Sequence, residues 1–241
     1  MNIIINFFKG ESITMKKQAL AIIFILLALS PFSINALEYN SNTSLESVNN
    51  TIQNTRDLEL LQDELEKYIS ENPNALDEDK DEHLKSFIIE GGLNKTNRES
   101  RSYLSGYNDL NSEEKKLARI SPYQAIQVNN AAKTATNKTI EIYGKNGYQD
   151  NSDAFRHCLW NALMKQYIGA TAAEKWATAH EYNSYGIDKQ MDLHNNYIGR
   201  SIYVSGKSLN AITSEVKSKV RNGSCKRIIR NKLVPTNGYG L

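Results

Sequence analysis

Three of the four histidines of this chain fall between Asp153 and Arg200, each beside an acid or a carboxamide. His157 follows Asp153 by four residues and precedes Asn161 by four, His180 is followed by Glu181, and His194 lies between Asp192 and Asn195-Asn196. An aspartate one helical turn before a histidine can accept one imidazole N–H. It thereby fixes the tautomer and raises the basicity of the other nitrogen, which suits a general base or a metal ligand. Two chemistries fit. In the first, His157, His180, Asp192 and His194 hold Zn²⁺ or a similar divalent ion, with one position left for water. In the second, Asp153 and His157 activate water or a hydroxyl, Arg156 or Arg200 neutralises an anionic intermediate, and Glu181 and Asn195 assist. The competing reading is a hydrogen-bond network that only holds helices in register, because buried polar groups are costly unless paired. No His-Glu-x-x-His run marks a metalloprotease.

These residues need helices to gather them. A helix from Asp153 to Ile168, capped by Ser152 and ended by Gly169, puts Asp153, His157, Trp160, Asn161 and Met164 on one face. Thr171 and Glu174 read as a capping box opening a helix that carries Trp176 and His180 and ends near Tyr182. A third helix, Asp188 to about Tyr203, aligns Asp192, Asn195 and Gly199 and turns His194 away from them. Further helices are expected from Ser112 as N-cap, from Pro122 to about Tyr143, and from Ser208 to Arg221. Upstream, Leu58, Leu61, Leu65, Tyr68 and Ile69 share a helical face between Arg56 and Glu71, and Pro73 forbids continuation. Leu84 to Ile89 is a short apolar piece, and residues 93–108 read as a linker. No strand alternation is long enough to assign. The expectation is an all-α, multi-helix globular domain with an N-terminal helical arm.

Composition adds compartment and charge. Met15-Lys16-Lys17 followed by the apolar run Ala19–Leu29 and a small residue at Ala36 reads as a signal peptide over residues 1–36, with Met15 as the initiator. The expected layout is then a polar leader and helical arm over 37–108 and a His/Asp/Asn-rich helical domain with a basic tail over 109–241. The product is exported, periplasmic or extracellular, and carries no transmembrane segment after processing. Residues 1–36 hold three bases and one acid, so the remaining 26 bases and 26 acids balance and bulk charge does not point to nucleic acid. The bases are unevenly placed. Seven of them between Lys217 and Lys232, without an acid after Lys217, are either a solvated face or a surface for an anionic partner or membrane. Cys158 and Cys225 are the only cysteines, and export permits a disulfide between them without requiring one. Cys158 is a poor nucleophile for His157 to activate, since helix neighbours do not face each other.

The motifs Asn111-Ser-Glu-Glu-Lys-Lys-Leu, Asp153-Ala-Phe-Arg-His-Cys-Leu-Trp-Asn-Ala-Leu-Met, Ala179-His-Glu and Met191-Asp-Leu-His-Asn-Asn with Gly199-Arg200 carry a resemblance. The run from about Leu110 to Tyr203 resembles an uncharacterised helical domain family of bacterial exported proteins, also found at the C-termini of polymorphic-toxin-like chains. What the resemblance implies is a helical exported domain with a suspected catalytic centre. Asp153, Arg156, His157, His180, Glu181, Asp192, His194 and Asn195 occupy its motif positions. Two functions are expected to compete: an exported hydrolase, metal-dependent or not, acting on a phosphodiester, lipid or envelope substrate, and a non-enzymatic exported binding module.

Overall fold

The computed structural model describes residues 52–95 and 109–241. The expected signal peptide, the leader up to residue 51 and the linker residues 96–108 lie outside the described residues. Helices α1 (Thr55–Glu71), α2 (Asp77–Ile89) and the short α3 (Gly92–Lys95) precede the gap. After it come α4 (Ser112–Ile120), α5 (Pro122–Tyr143), α6 (Asn151–Ile168), α7 (Ala170–His180), α8 (Gly186–Ser201) and α9 (Leu209–Arg221). A two-stranded antiparallel hairpin, β1 (Lys226–Ile229) and β2 (Lys232–Pro235), follows. The all-α expectation holds apart from this hairpin. Among the described residues no helix is long and apolar enough to cross a membrane.

Helix α6 is the centre. From Asn151 to Met164 only Arg156 reaches solvent appreciably, so this helix is buried round its whole circumference. Helices α5, α7, α8 and α9 and strand β1 pack around it. Phe155, Leu159 and Leu163 are fully buried, each stabilising the fold by about 1.5–3 kcal/mol relative to exposure. Ala125, Ala131 and Ala135 on α5 are also fully buried, and their small side chains let α5 approach closely. On α1 and α2, Leu58, Leu61, Leu65, Leu84 and Ile88 join the same core, and the Leu110 N–H donates to the Gln53 carbonyl at 3.0 Å. Helix α2 is longer than the apolar piece Leu84–Ile89, because its first two turns are acidic and solvated.

Three helix caps differ from the sequence reading. Asn111, not Ser112, caps α4, accepting from the Glu113 and Glu114 N–H groups while the Glu114 carboxylate returns to the Asn111 N–H. Asp150, not Ser152, caps α6, and Ser152 turns its hydroxyl back to Asp150. Thr171 caps nothing: Gly169, at φ +81°, turns the chain so sharply that α7 starts at Ala170 with Thr171 already inside it. The hairpin leaves no alternation in the sequence because its strands are four residues long and basic. Its loop is Arg230-Asn231, both with positive φ (49° and 58°), the turn geometry that matches strand twist.

Cys158 and Cys225 meet, but as two free, fully buried thiols that hydrogen-bond to one another. The two stand as thiols in this structure, and export still permits the disulfide. The Cys225 hydrogen bond and burial push the Cys158 thiol well up, which removes it as a nucleophile.

Candidate functional site: a buried imidazole among carboxylates

The site starts on the first two turns of α6. Asp153 is almost fully buried, and its Oδ2 accepts the Gln149 N–H at 2.7 Å while Oδ1 pairs with the Arg156 guanidinium. One turn on, His157 sits between elements that come from far along the chain. Its Nε2 lies 3.5 Å from Asp153 Oδ1 and 3.5 Å from Asp192 Oδ1 on α8. Its Nδ1 lies 3.3 Å from Asn196 Oδ1 on α8 and 3.9 Å from Glu181 Oε1 at the end of α7. Glu181 is among the most buried side chains of the protein. Arg156 and Asp192 form the open edge, with side chains 26% and 15% exposed.

Electrostatics follow from this crowding. Burial, with the positive charge of Arg156 and the proximity of His180, pulls the His157 imidazole down to about 3, against a weaker opposing pull from the Asn196 hydrogen bond. It is neutral throughout the physiological range. Burial, reinforced by the charges of Glu181 and Asp153, pushes the Asp192 carboxyl up to about 8. Asp153 is also raised by burial, against the pull of Arg156 and the Gln149 N–H. Two carboxylate oxygens, Glu181 Oε1 and Asp192 Oδ1, are buried without a hydrogen-bond partner, as is Asn196 Nδ2.

A chain of hydrogen bonds fixes the imidazole. Arg200 can only donate, and it donates to Asn161 Oδ1 at 2.7 Å. That orients Asn161 so that its Nδ2 donates to Asn196 Oδ1 at 2.7 Å. Asn196 Oδ1 is then an acceptor, and the only role left for the facing Nδ1 of His157 is donor. The relay sets the tautomer with the lone pair of Nε2 towards Asp153 and Asp192.

Residues 115–224 match a domain of unknown function (DUF6973). No curated protein and no solved structure matches the chain. The DUF6973 segment holds the whole cluster (Asp153, Arg156, His157, Glu181, Asp192) and the Arg200–Asn161–Asn196 relay. It leaves out α1, α2 and the hairpin. This fits the uncharacterised family that the motifs resemble.

Within the DUF6973 segment the expected residues divide. Asp153, Arg156, His157, Glu181 and Asp192 converge. Asn196, outside the expected set of site residues, joins them, and its i+4 spacing from Asp192 is the signal that points to it. Arg200 acts through Asn161 rather than at the cluster. His180 is not a ligand of the site. Its ring stands edge-on to Trp160 at 5.0 Å and its Nδ1 pairs with Glu114 Oε1 at 2.8 Å. Burial alone would lower His180, but the Glu114 hydrogen bond and the charges of Glu114 and Glu181 outweigh it and raise its pKa. Glu114 lies 66 residues away, and no local signal links the two. His194 faces the other way, its Nε2 2.8 Å from the Ser224 carbonyl oxygen. The four-ligand set His157, His180, Asp192 and His194 is thus not assembled, because helix phase turns His194 off the α8 face that carries Asp192 and Asn196.

Asn195 serves the hairpin instead. It accepts the Lys226 N–H at 2.8 Å and donates to the Lys226 carbonyl at 2.9 Å, tying β1 to α8. Asn195→Ala strands both backbone groups and should cost about 2–3 kcal/mol, with faster hydrogen exchange at the Lys226 amide. Unchanged exchange there would refute the clamp.

Proposed function

We propose that this chain is an exported hydrolase whose water-activating centre is the His157 cluster, acting on a phosphodiester or a lipid ester. One observation carries the reading. Three carboxylates surround a single imidazole in a site nearly closed to water, and two of their oxygens have no partner. Buried polar atoms without partners are costly, so a fold that keeps them has a use for them. The face made by His157 Nε2, Asp153 Oδ1 and Asp192 Oδ1 suits a water that is deprotonated as its oxygen attacks phosphorus or a carbonyl carbon. Arg156, at the open edge, lies where negative charge would develop. The leaving oxygen takes a proton from the carboxyl that accepted one. The signal-peptide reading and the likeness to the C-terminal domains of polymorphic-toxin-like chains support action outside the cytoplasm.

The test is a panel of bis(p-nitrophenyl) phosphate, a nucleic acid and mixed phospholipid vesicles, assayed with the full chain, His157→Ala and His194→Ala. Turnover should fall at least about 1,000-fold in His157→Ala and persist in His194→Ala, whose ring lies outside the cluster. A folded His157→Ala with undiminished turnover, or no turnover on any of the panel, sinks the reading.

A second reading, an exported binding module, rests on a different observation. Lys217, Lys219, Arg221, Lys226, Arg227, Arg230 and Lys232 lie on α9 and the hairpin, and none pairs with an acid among the described residues. Such a surface fits an anionic partner or membrane. It predicts binding to anionic vesicles that fades between 50 and 200 mM salt, roughly the range over which exposed charges are screened. Salt-independent binding, or none, counts against it.

A further inference from the structure

We infer that Asp153, His157 and Asp192 form a divalent metal site, with one carboxylate oxygen from each aspartate and Nε2 of the histidine as ligands. The inference deepens the hydrolase reading by naming what activates the water, yet its binding claim stands without turnover.

The first argument is spacing. Nε2 is 3.5 Å from Oδ1 of both aspartates, and the three ligand atoms lie within 4.8 Å of one another. A charge-assisted N–H···O bond is shorter, about 2.7–2.9 Å. Two ligands bonded at about 2.1 Å to one tetrahedral or octahedral ion stand about 3.0–3.4 Å apart. The two nitrogen–oxygen separations are long for an ion pair and close to those of a shared ion.

The second argument is the tautomer. The Arg200–Asn161–Asn196 relay makes Nδ1 the donor. Nε2 therefore presents a lone pair, not a proton, to two carboxylate oxygens. When both carboxyls are ionised, lone pairs face each other across a buried gap and repel, and a cation between them reverses the sign. Asp192 Oδ1 has no other partner. The outer contacts are those a ligating histidine needs: its second nitrogen donates to a carboxamide oxygen, with the buried Glu181 carboxylate behind it.

The third argument is charge. With all three ionised, Asp153, Glu181 and Asp192 bring three negative charges against one positive charge from Arg156. A divalent ion brings the sum to zero. One nitrogen and two carboxylate ligands suit Zn²⁺ or Mn²⁺. Three protein ligands leave room for water on the side where Asp192 and Arg156 reach solvent.

The decisive experiment takes the full chain without a histidine tag, strips it with EDTA, and titrates Zn²⁺ and Mn²⁺ by calorimetry. Thermal melting and elemental analysis of the unstripped protein accompany it. One equivalent of ion should bind, raise the melting temperature, and lose at least about 100-fold in affinity in Asp192→Asn and His157→Gln. His194→Ala should bind as the parent does. Asp192→Asn relieves crowding and should stay folded, so the test survives if His157→Gln does not. No binding of either ion at 1 mM, or binding unaffected by a folded Asp192→Asn, overturns the site. Metal bound at these residues without turnover upholds the site and removes the hydrolase reading. Turnover by a metal-free chain that chelators do not touch does the reverse.

Discussion

Stripped of divalent ions, Asp192→Asn should be more stable than the parent chain at pH 9, by about 2–4 kcal/mol. The reason is the company Asp192 keeps. Its carboxyl is largely buried, lies 3.5 Å from a neutral imidazole that offers only a lone pair, and feels the charges of Glu181, Asp153 and Asp188, with Arg156 alone opposing them. Its folded pKa of about 8 sits above its ordinary value of 3.8. Between those two values the native state therefore binds more protons than the unfolded chain. Stability falls as pH rises through this window, is highest below the ordinary carboxylate range, and reaches its floor above about 8. The range allows for the edge of the side chain that is open to water, which screens part of the effect. Asp153, raised in the same direction, adds slope of the same sign, and so does His180, whose raised pKa loses its contribution at higher pH. The parent-minus-variant difference cancels much of what they share. Urea unfolding at pH 5 and pH 9 with EDTA present reads the result. A parent chain equally stable at both pH values, or a variant weaker at pH 9, would show that the crowding is absent.

The same substitution links stability to use. If a divalent ion occupies the cluster, saturating Zn²⁺ or Mn²⁺ stabilises the parent through mass action and leaves Asp192→Asn behind. Gain without the ion and loss with it is the pattern expected of a site kept for chemistry at a cost in stability.

Gly199→Ala should destabilise the fold by about 2–4 kcal/mol, the range of an overpacked core, although alanine is by itself the better helix former by about 1 kcal/mol. A Cβ at position 199 would stand 2.1 Å from the Cys158 carbonyl oxygen and 2.9 Å from Asn161 Cβ. The first is backbone of the central helix and cannot swing aside. Glycine lets α8 lie directly on α6, and that contact brings Asp192 and Asn196 to His157 and sets Arg200 against Asn161. Gly199→Ala should therefore also loosen the site. Chemical denaturation measures the first effect, and the second appears as weakened metal binding in whatever fraction remains folded. A variant of parental stability would mean that α8 does not sit as close as described.

Local chemistry was legible in the sequence, and distance was not. Helix α5 could be bounded from Pro122 to Tyr143 because proline at the first helical position and glycine just past the end both act within a turn. The caps of α4 and α6 slipped by one or two residues because Asn111 and Ser112, or Asp150 and Ser152, are each competent, and the loop path decides between them. The hairpin was hidden by its basic residues, and its pairing is held by Asn195 and by the Gln149 carbonyl, which accepts the Ile228 N–H at 2.9 Å.

For the site, the sequence determined which residues were worth watching. Asp153 and His157 share a face of one helix wherever that helix goes, and the glycines, caps and alanines that build the helices act over a few residues. The tertiary structure alone decided membership. Glu181 and Asp192 reach His157 only because α7 and α8 fold back on α6, while His194 leaves because one residue of helix is about 100° of rotation. It also decided the tautomer, through three side chains on two helices. Periodicity fixes direction within an element. Which faces meet depends on packing between elements, and here that depended on a glycine small enough to let two helices touch.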